Sequence, residues 1–139
     1  MELKFYKYQG TGNDFIMIDN LRSNLQNHLS ANQIKFLCDR HFGIGADGLI
    51  LLTAAENEDF QMIYYNSDGN ESSMCGNGGR CVTAFAQKMG INRNAYRFMA
   101  IDGLHESFIE GEVVHLIARR LLDHTELLGR LPTASRDFH

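Results

Sequence analysis

Apolar residues in this chain recur with two periods, and each period predicts its own set of elements. Residues 3–9 (LKFYKYQ) and 14–19 (DFIMID) are short aromatic or aliphatic runs parted by Gly10-Thr11-Gly12-Asn13, a turn-forming stretch, so they read as two strands around a tight connection. Ser30 and Gln33 have capping-box spacing, and Ile34, Leu37 and Cys38 follow at helical intervals. They predict a short helix over 31–39 with Cys38 turned to the core. Strands are expected at about 48–53 and at 60–66, the second running into the turn Asn66-Ser67-Asp68-Gly69. Val82, Phe85, Ala86 and Met89 then repeat at i, i+3, i+4 and i+7, with Gly90 where a C-cap belongs, and predict a helix over 77–89. YRFMAI, LHESFIE and EVVHLIA complete about seven strands, with Asp102-Gly103 and Glu110-Gly111 as hairpin turns. Two helices against these strands imply an α+β domain of mainly antiparallel sheet. From Arg119 the texture changes to clustered leucines, the single proline and a polar end, which predicts a short helix followed by a frayed end.

Composition narrows the function more than the fold. At 139 residues, with 44% hydrophobic and 10% aromatic residues, the chain can bury one core. Its net charge of −4 is spread without blocks of one sign, which recommends neither nucleic acid nor an anionic membrane as partner and leaves small neutral or zwitterionic ligands open. No stretch approaches the roughly 18 apolar residues of a membrane span, and MELKFYKYQG lacks the apolar centre of a signal peptide, so a cytoplasmic protein is expected. The three cysteines, Cys38, Cys75 and Cys81, include no C-x-x-C pair; free thiols are expected rather than disulfides or structural zinc. Asn70-Glu71-Ser72 matches a glycosylation sequon, but that reading requires secretion.

The stretch NSDGNESSMCGNGGRC (66–81) carries the candidate chemistry. Cys75 could simply be a small buried hydrophobe, as most free cysteines are. It stands, however, just before the predicted second helix, where exposed N–H groups and the helix dipole favour a thiolate. The same N–H groups, unobstructed at Gly76, Gly78 and Gly79, can hold a carboxylate. A thiolate beside such a nest can attack a carbonyl or take a proton from the carbon next to the carboxylate. No histidine is spaced to activate Cys75 as a nucleophile. Gly43 to Gly48 spells G-x-G-x-x-G, but it follows a helix and opens a strand, the reverse of a dinucleotide site, and is expected to be a connection at the sheet rim. Cys81 lies six residues after Cys75, roughly 9 Å along a helix and on another face, and is expected to be structural.

Taken together, GTGNDF (10–15), DRHFGIGADGLIL (39–51), YNSDGNESSMCGNGGRC (65–81) and MAIDG (99–103) resemble the N-terminal half of diaminopimelate epimerases over about residues 3–116. Related proline racemases carry a histidine where this chain has Asn77, and phenazine-biosynthesis isomerases of the same fold lack the cysteine base. The resemblance implies one half of a two-domain fold, with a mainly antiparallel sheet or barrel wrapped around a central helix. Residues 1–118 would form this epimerase-like domain and 119–139 a divergent tail. It also implies inversion at the α-carbon of LL-diaminopimelate to the meso isomer without pyridoxal phosphate or any other cofactor, a step of lysine and peptidoglycan synthesis. One thiol removes the α-proton and a second returns one from the opposite face. On matching positions, Cys75 would be one of the two thiols, Asn13 and Asn66 would hydrogen-bond substrate, and Gly76 and Asn77 would offer backbone donors.

The chain departs from this family in length, and no second cysteine motif follows residue 116. Three readings result: an epimerase N-terminal half that needs a missing C-terminal domain, a homodimer in which each chain supplies Cys75, or a non-catalytic module that keeps the nest and binds an amino acid or a protein. A lone half would also expose apolar surface.

Overall fold

The computed structural model describes residues 2–73 and 76–117, and the backbone of 132–134. Within them lie β1 (Tyr6–Gly10), β2 (Asn13–Asn20), a 3-10 turn (Leu25–Asn27), α1 (Ala31–Cys38), β3 (Gly48–Thr53), β4 (Phe60–Asn66), α2 (Gly76–Lys88), β5 (Ala95–Ala100), β6 (Gly103–Glu110), β7 (Val113–Ile117) and β8 (Pro132–Ala134). The seven expected strands and both expected helices are present. The expected helix after Arg119 lies outside the described residues. β8 was not foreseen; its Pro132, which has no N–H, sits on the outermost strand, where that loss is tolerated.

The strands form one sheet in the order β1 to β8. Five of the seven pairings are antiparallel, but β2 with β3 and β4 with β5 are parallel. The result is a mixed, curled sheet with two helices. The parallel pairs sit where the chain can make them: a parallel pair needs a long crossover, usually through a helix, and α1 separates β2 from β3 while α2 separates β4 from β5. β3 (GLILLT) is buried at every position, as a strand covered on both faces should be.

Alternation along the strands divides the core in two. Phe15, Met17, Ile50, Leu52, Phe60, Met62 and Phe98 pack with Cys81, Val82, Phe85 and Ala86 of α2. Ile16, Ile18, Leu49, Leu51 and Ile63 point the other way and pack with Ile34 and Cys38 of α1. α2 reaches β1 on one side and β6 and β7 on the other. It closes with the N–H of Ile91 on the Ala86 carbonyl and that of Gly90 on the Gln87 carbonyl, a Schellman motif for which Gly90 takes φ +105°. The capping box at α1 forms as expected, Ser30 Oγ accepting from the Gln33 N–H and Gln33 Oε1 from the Ser30 N–H. No helix of the described residues is long and apolar enough to cross a membrane.

Candidate active site at the start of the second helix

β2 and β3 begin and β4 ends at one edge of the sheet, with Phe15 opposite Gly48 and Gly48 opposite Asn66. Paired residues share a sheet face, as do residues two apart, so Asn13 and Asn66 stand on the same side as Phe15, the side covered by α2. The first turn of α2 meets this sheet end at the β1–β2 turn. There the Asn77 Nδ2 group donates to the Thr11 carbonyl at 2.9 Å and to Asn13 Oδ1 at 2.8 Å. Arg80, one turn along and buried, donates from Nη2 to Asn77 Oδ1 at 2.6 Å. Gly76 is exposed and Asn77 half-buried. A Cβ at Gly76 would stand 3.3 Å from Arg80 Nη1, so the guanidinium lies against the residue that follows Cys75. No acidic side chain occupies the first turn, which leaves the positive end of the helix dipole without an internal counter-charge.

The structure therefore brings together Asn13, Asn77 and Gly76. Asn66 stands on the same face at the same sheet end, without a hydrogen bond to Asn13 or Asn77 among the described residues. Cys75 lies outside the described residues; in the sequence it directly precedes Gly76, the first residue of α2. The other two thiols are shut away. Cys81 is fully buried on α2, and Cys38 is 3% exposed on the opposite face of the sheet. Burial, with a further push from the Asp14 charge, raises the Cys38 pKa to about 11, so it is a neutral thiol at physiological pH.

Beside Asn13 opens a polar cleft of about 350 Å³ lined by Gln9, Gly10, Gly12, Asn13, Asp14, Arg40 and Asp47. Its charged wall is a network that sequence reasoning missed. Arg40 grips Asp14 with both terminal nitrogens, at 3.1 and 2.8 Å, and reaches Asp47 at 3.1 Å, while Lys7 approaches Asp14 at 3.2 Å. The Asp47 N–H donates to Asp14 Oδ1 and the Asp14 N–H to Asp47 Oδ2. Hydrogen bonding to Arg40 is the main reason the Asp14 carboxyl is held well below the usual carboxylate range. Asp47 also accepts from Asn13 Nδ2 at 3.3 Å, which ties the glycine loop after α1 to the candidate site. The G-x-G-x-x-G stretch opens β3, as expected of a connection. Its Gly43 sits so close to the Phe36 carbonyl that any side chain would collide with it. The signal for the network was an aspartate directly after each loop, in GTGND and GIGAD; without the β2–β3 pairing the two could not be brought side by side.

A sequence model of the family described as diaminopimelate epimerase matches residues 5–117. The chain belongs to the diaminopimelate epimerase family. A diaminopimelate epimerase of Flavobacterium psychrophilum is 59% identical over 115 residues, covering 82% of this chain and 44% of that protein. One from Chlorobaculum tepidum is 50% identical over 105 residues, covering 74% and 40%. The chain thus spans less than half the length of these relatives. Among solved structures, a phenazine biosynthesis protein of the PhzF family from Bacillus anthracis aligns with a TM-score of 0.64 at 16% identity, covering 84% of this chain and 41% of that one. A probable proline racemase from Agrobacterium radiobacter K84 aligns at 0.59 and 15%, with the same coverage. At these identities the two structures speak to the fold alone, a mixed, curled half-barrel sheet with two helices.

Proposed function

We propose that this chain forms one half of the active site of a cofactor-independent diaminopimelate epimerase, with α2 as the central helix of its half-barrel. The substrate α-carboxylate sits at the start of α2 on the backbone N–H groups of Gly76 and Asn77, where the first N–H groups of a helix have no intrahelical partner. Asn13 and Asn66 donate to substrate from the same sheet end. Cys75 exchanges the α-proton as a thiolate, favoured by the helix dipole and by the positive charge of the Arg80 guanidinium, which lies against Gly76.

The observation that carries this reading is the attachment of the α2 start to the Asn13 turn through Asn77, at 2.8 and 2.9 Å, in a chain that belongs to this family. Inversion needs a second acid/base group on the opposite face of the α-carbon. Cys38 and Cys81 are buried, so that group comes from a second domain or a second chain. By itself this half exchanges the α-proton on one face and does not epimerise.

The test is deuterium uptake at the α-carbon of LL- and meso-diaminopimelate in D2O, followed by NMR with the parent protein and with Cys75→Ala. Uptake from one isomer that disappears in the variant is expected. Uptake that persists without Cys75, or none with either protein, would count against the reading.

A further inference from the structure

We infer that Arg80 and Asp47 are positioning residues that fix which way round the side-chain amides of Asn77 and Asn13 lie, so that Asn13 presents an N–H, not a carbonyl oxygen, to the ligand. The ligand contact of Asn13 rests on the function proposed above; the orientation of the amides does not.

A guanidinium has donors only and a carboxylate acceptors only. Arg80 Nη2 at 2.6 Å therefore makes Asn77 Oδ1 the acceptor. Both Asn77 N–H bonds must then point to the other two partners, the Thr11 carbonyl and Asn13 Oδ1. With Asn13 Oδ1 committed as an acceptor, its Nδ2 faces the remaining partner, Asp47 Oδ2 at 3.3 Å. Asp47 in turn is held by Arg40 and by the Asp14 N–H. The cation at one end and the anion at the other demand the same direction, Arg80 to Asn77 to Asn13 to Asp47. Reversing either amide would set an N–H against a guanidinium or an oxygen against a carboxylate.

The two amides consequently differ in what they can still do. Asn77 has spent both side-chain hydrogens and its oxygen, so only its backbone N–H remains for a ligand. Asn13 Nδ2 carries a second hydrogen with no acceptor among the described residues, on a side chain that lines the polar cleft. That site suits an anionic or carbonyl oxygen of the ligand.

The experiment follows the side-chain amide resonances of Asn13 and Asn77 in 15N-labelled full-length protein, first without ligand. Asp47→Ala removes the anionic end from a partly exposed position, and Arg80→Met removes the cationic end. Should the buried Arg80→Met variant fail to fold, Asp47→Ala alone decides. In the parent, both amide pairs should be resolved and slow to exchange with water. Asp47→Ala is expected to speed exchange of Asn13, and of Asn77 beyond it, by about tenfold, the worth of one hydrogen bond, with the backbone signals of Val82 and Phe85 unmoved. An unchanged Asn77 amide in Asp47→Ala would overturn the inference. Titration with LL-diaminopimelate then separates the two ideas: no binding by the parent with the amide response intact would sink the proposed function and still support the relay.

Discussion

α1 and α2 occupy the same place in their respective strand-helix-strand units, yet they begin in opposite ways. The start of α1 is closed by its own side chains, Ser30 and Gln33 satisfying each other's backbone N–H groups. The turn at Gly69 also packs against the Ala31 carbonyl. The start of α2 reaches a neighbouring turn instead, Asn77 donating to Thr11 and Asn13 of the β1–β2 turn while Arg80 of the same helix holds the Asn77 oxygen, and its first residue, Gly76, is exposed. A helix N-terminus satisfied from within contributes stability alone. One braced against a neighbouring turn can hold its backbone N–H groups for something else.

Substitutions at the two helix starts should therefore separate stability from binding. The largest stability effect is expected at Gly69, which combines φ +93° with a Cβ position that collides with the Ala31 carbonyl. Gly69→Ala should cost about 2 to 4 kcal/mol in urea unfolding. Gly90→Ala, with φ +105° but open space around it, should cost only about 1 kcal/mol; equal losses would mean that the packing of the 66–69 turn on α1 is wrong. Next, Ser30→Ala should lose about 1 kcal/mol of stability and leave diaminopimelate affinity unchanged. Asn77→Ala should weaken that affinity by about tenfold or more, as isothermal titration would show. If Ser30→Ala weakened binding as much as Asn77→Ala, the contrast between the helices would fail.

The smallest expected effect is on acid stability. The folded-state pKa of Asp14 lies below its ordinary value of 3.8, chiefly through Arg40. Its contribution to stability is thus complete above about pH 4 and is lost as pH falls towards the depressed value. Asp14→Asn should flatten the stability profile below pH 4 and leave its shape above pH 5 unaltered. Because the pair is partly exposed, the change should also shrink in high salt.

Local elements were legible in the sequence because local rules govern them. Ser30-x-x-Gln33, the Val82/Phe85/Ala86/Met89 spacing and Gly90 each act within one helix, and the turns before Asn13 and Gly103 within one hairpin. Both parallel pairings escaped because each joins residues more than thirty positions apart, as with Phe15 and Gly48. The site divides along the same line. Its glycines and Asn77 stand together in one stretch, whereas Asp47, Arg40 and Lys7 reach Asn13 and Asp14 only across the folded sheet.

The central proposal is that Cys75, which directly precedes α2 in the sequence, works beside the bound ligand carboxylate, while Cys38 and Cys81 are sealed in the core. Alkylation of the native protein with iodoacetamide, mapped by mass spectrometry with and without diaminopimelate, tests it most directly. The account predicts modification at Cys75, little at Cys38 or Cys81, and protection of Cys75 by diaminopimelate. Labelling of Cys38 or Cys81 as fast as Cys75, or labelling of Cys75 that saturating diaminopimelate leaves untouched, would contradict it.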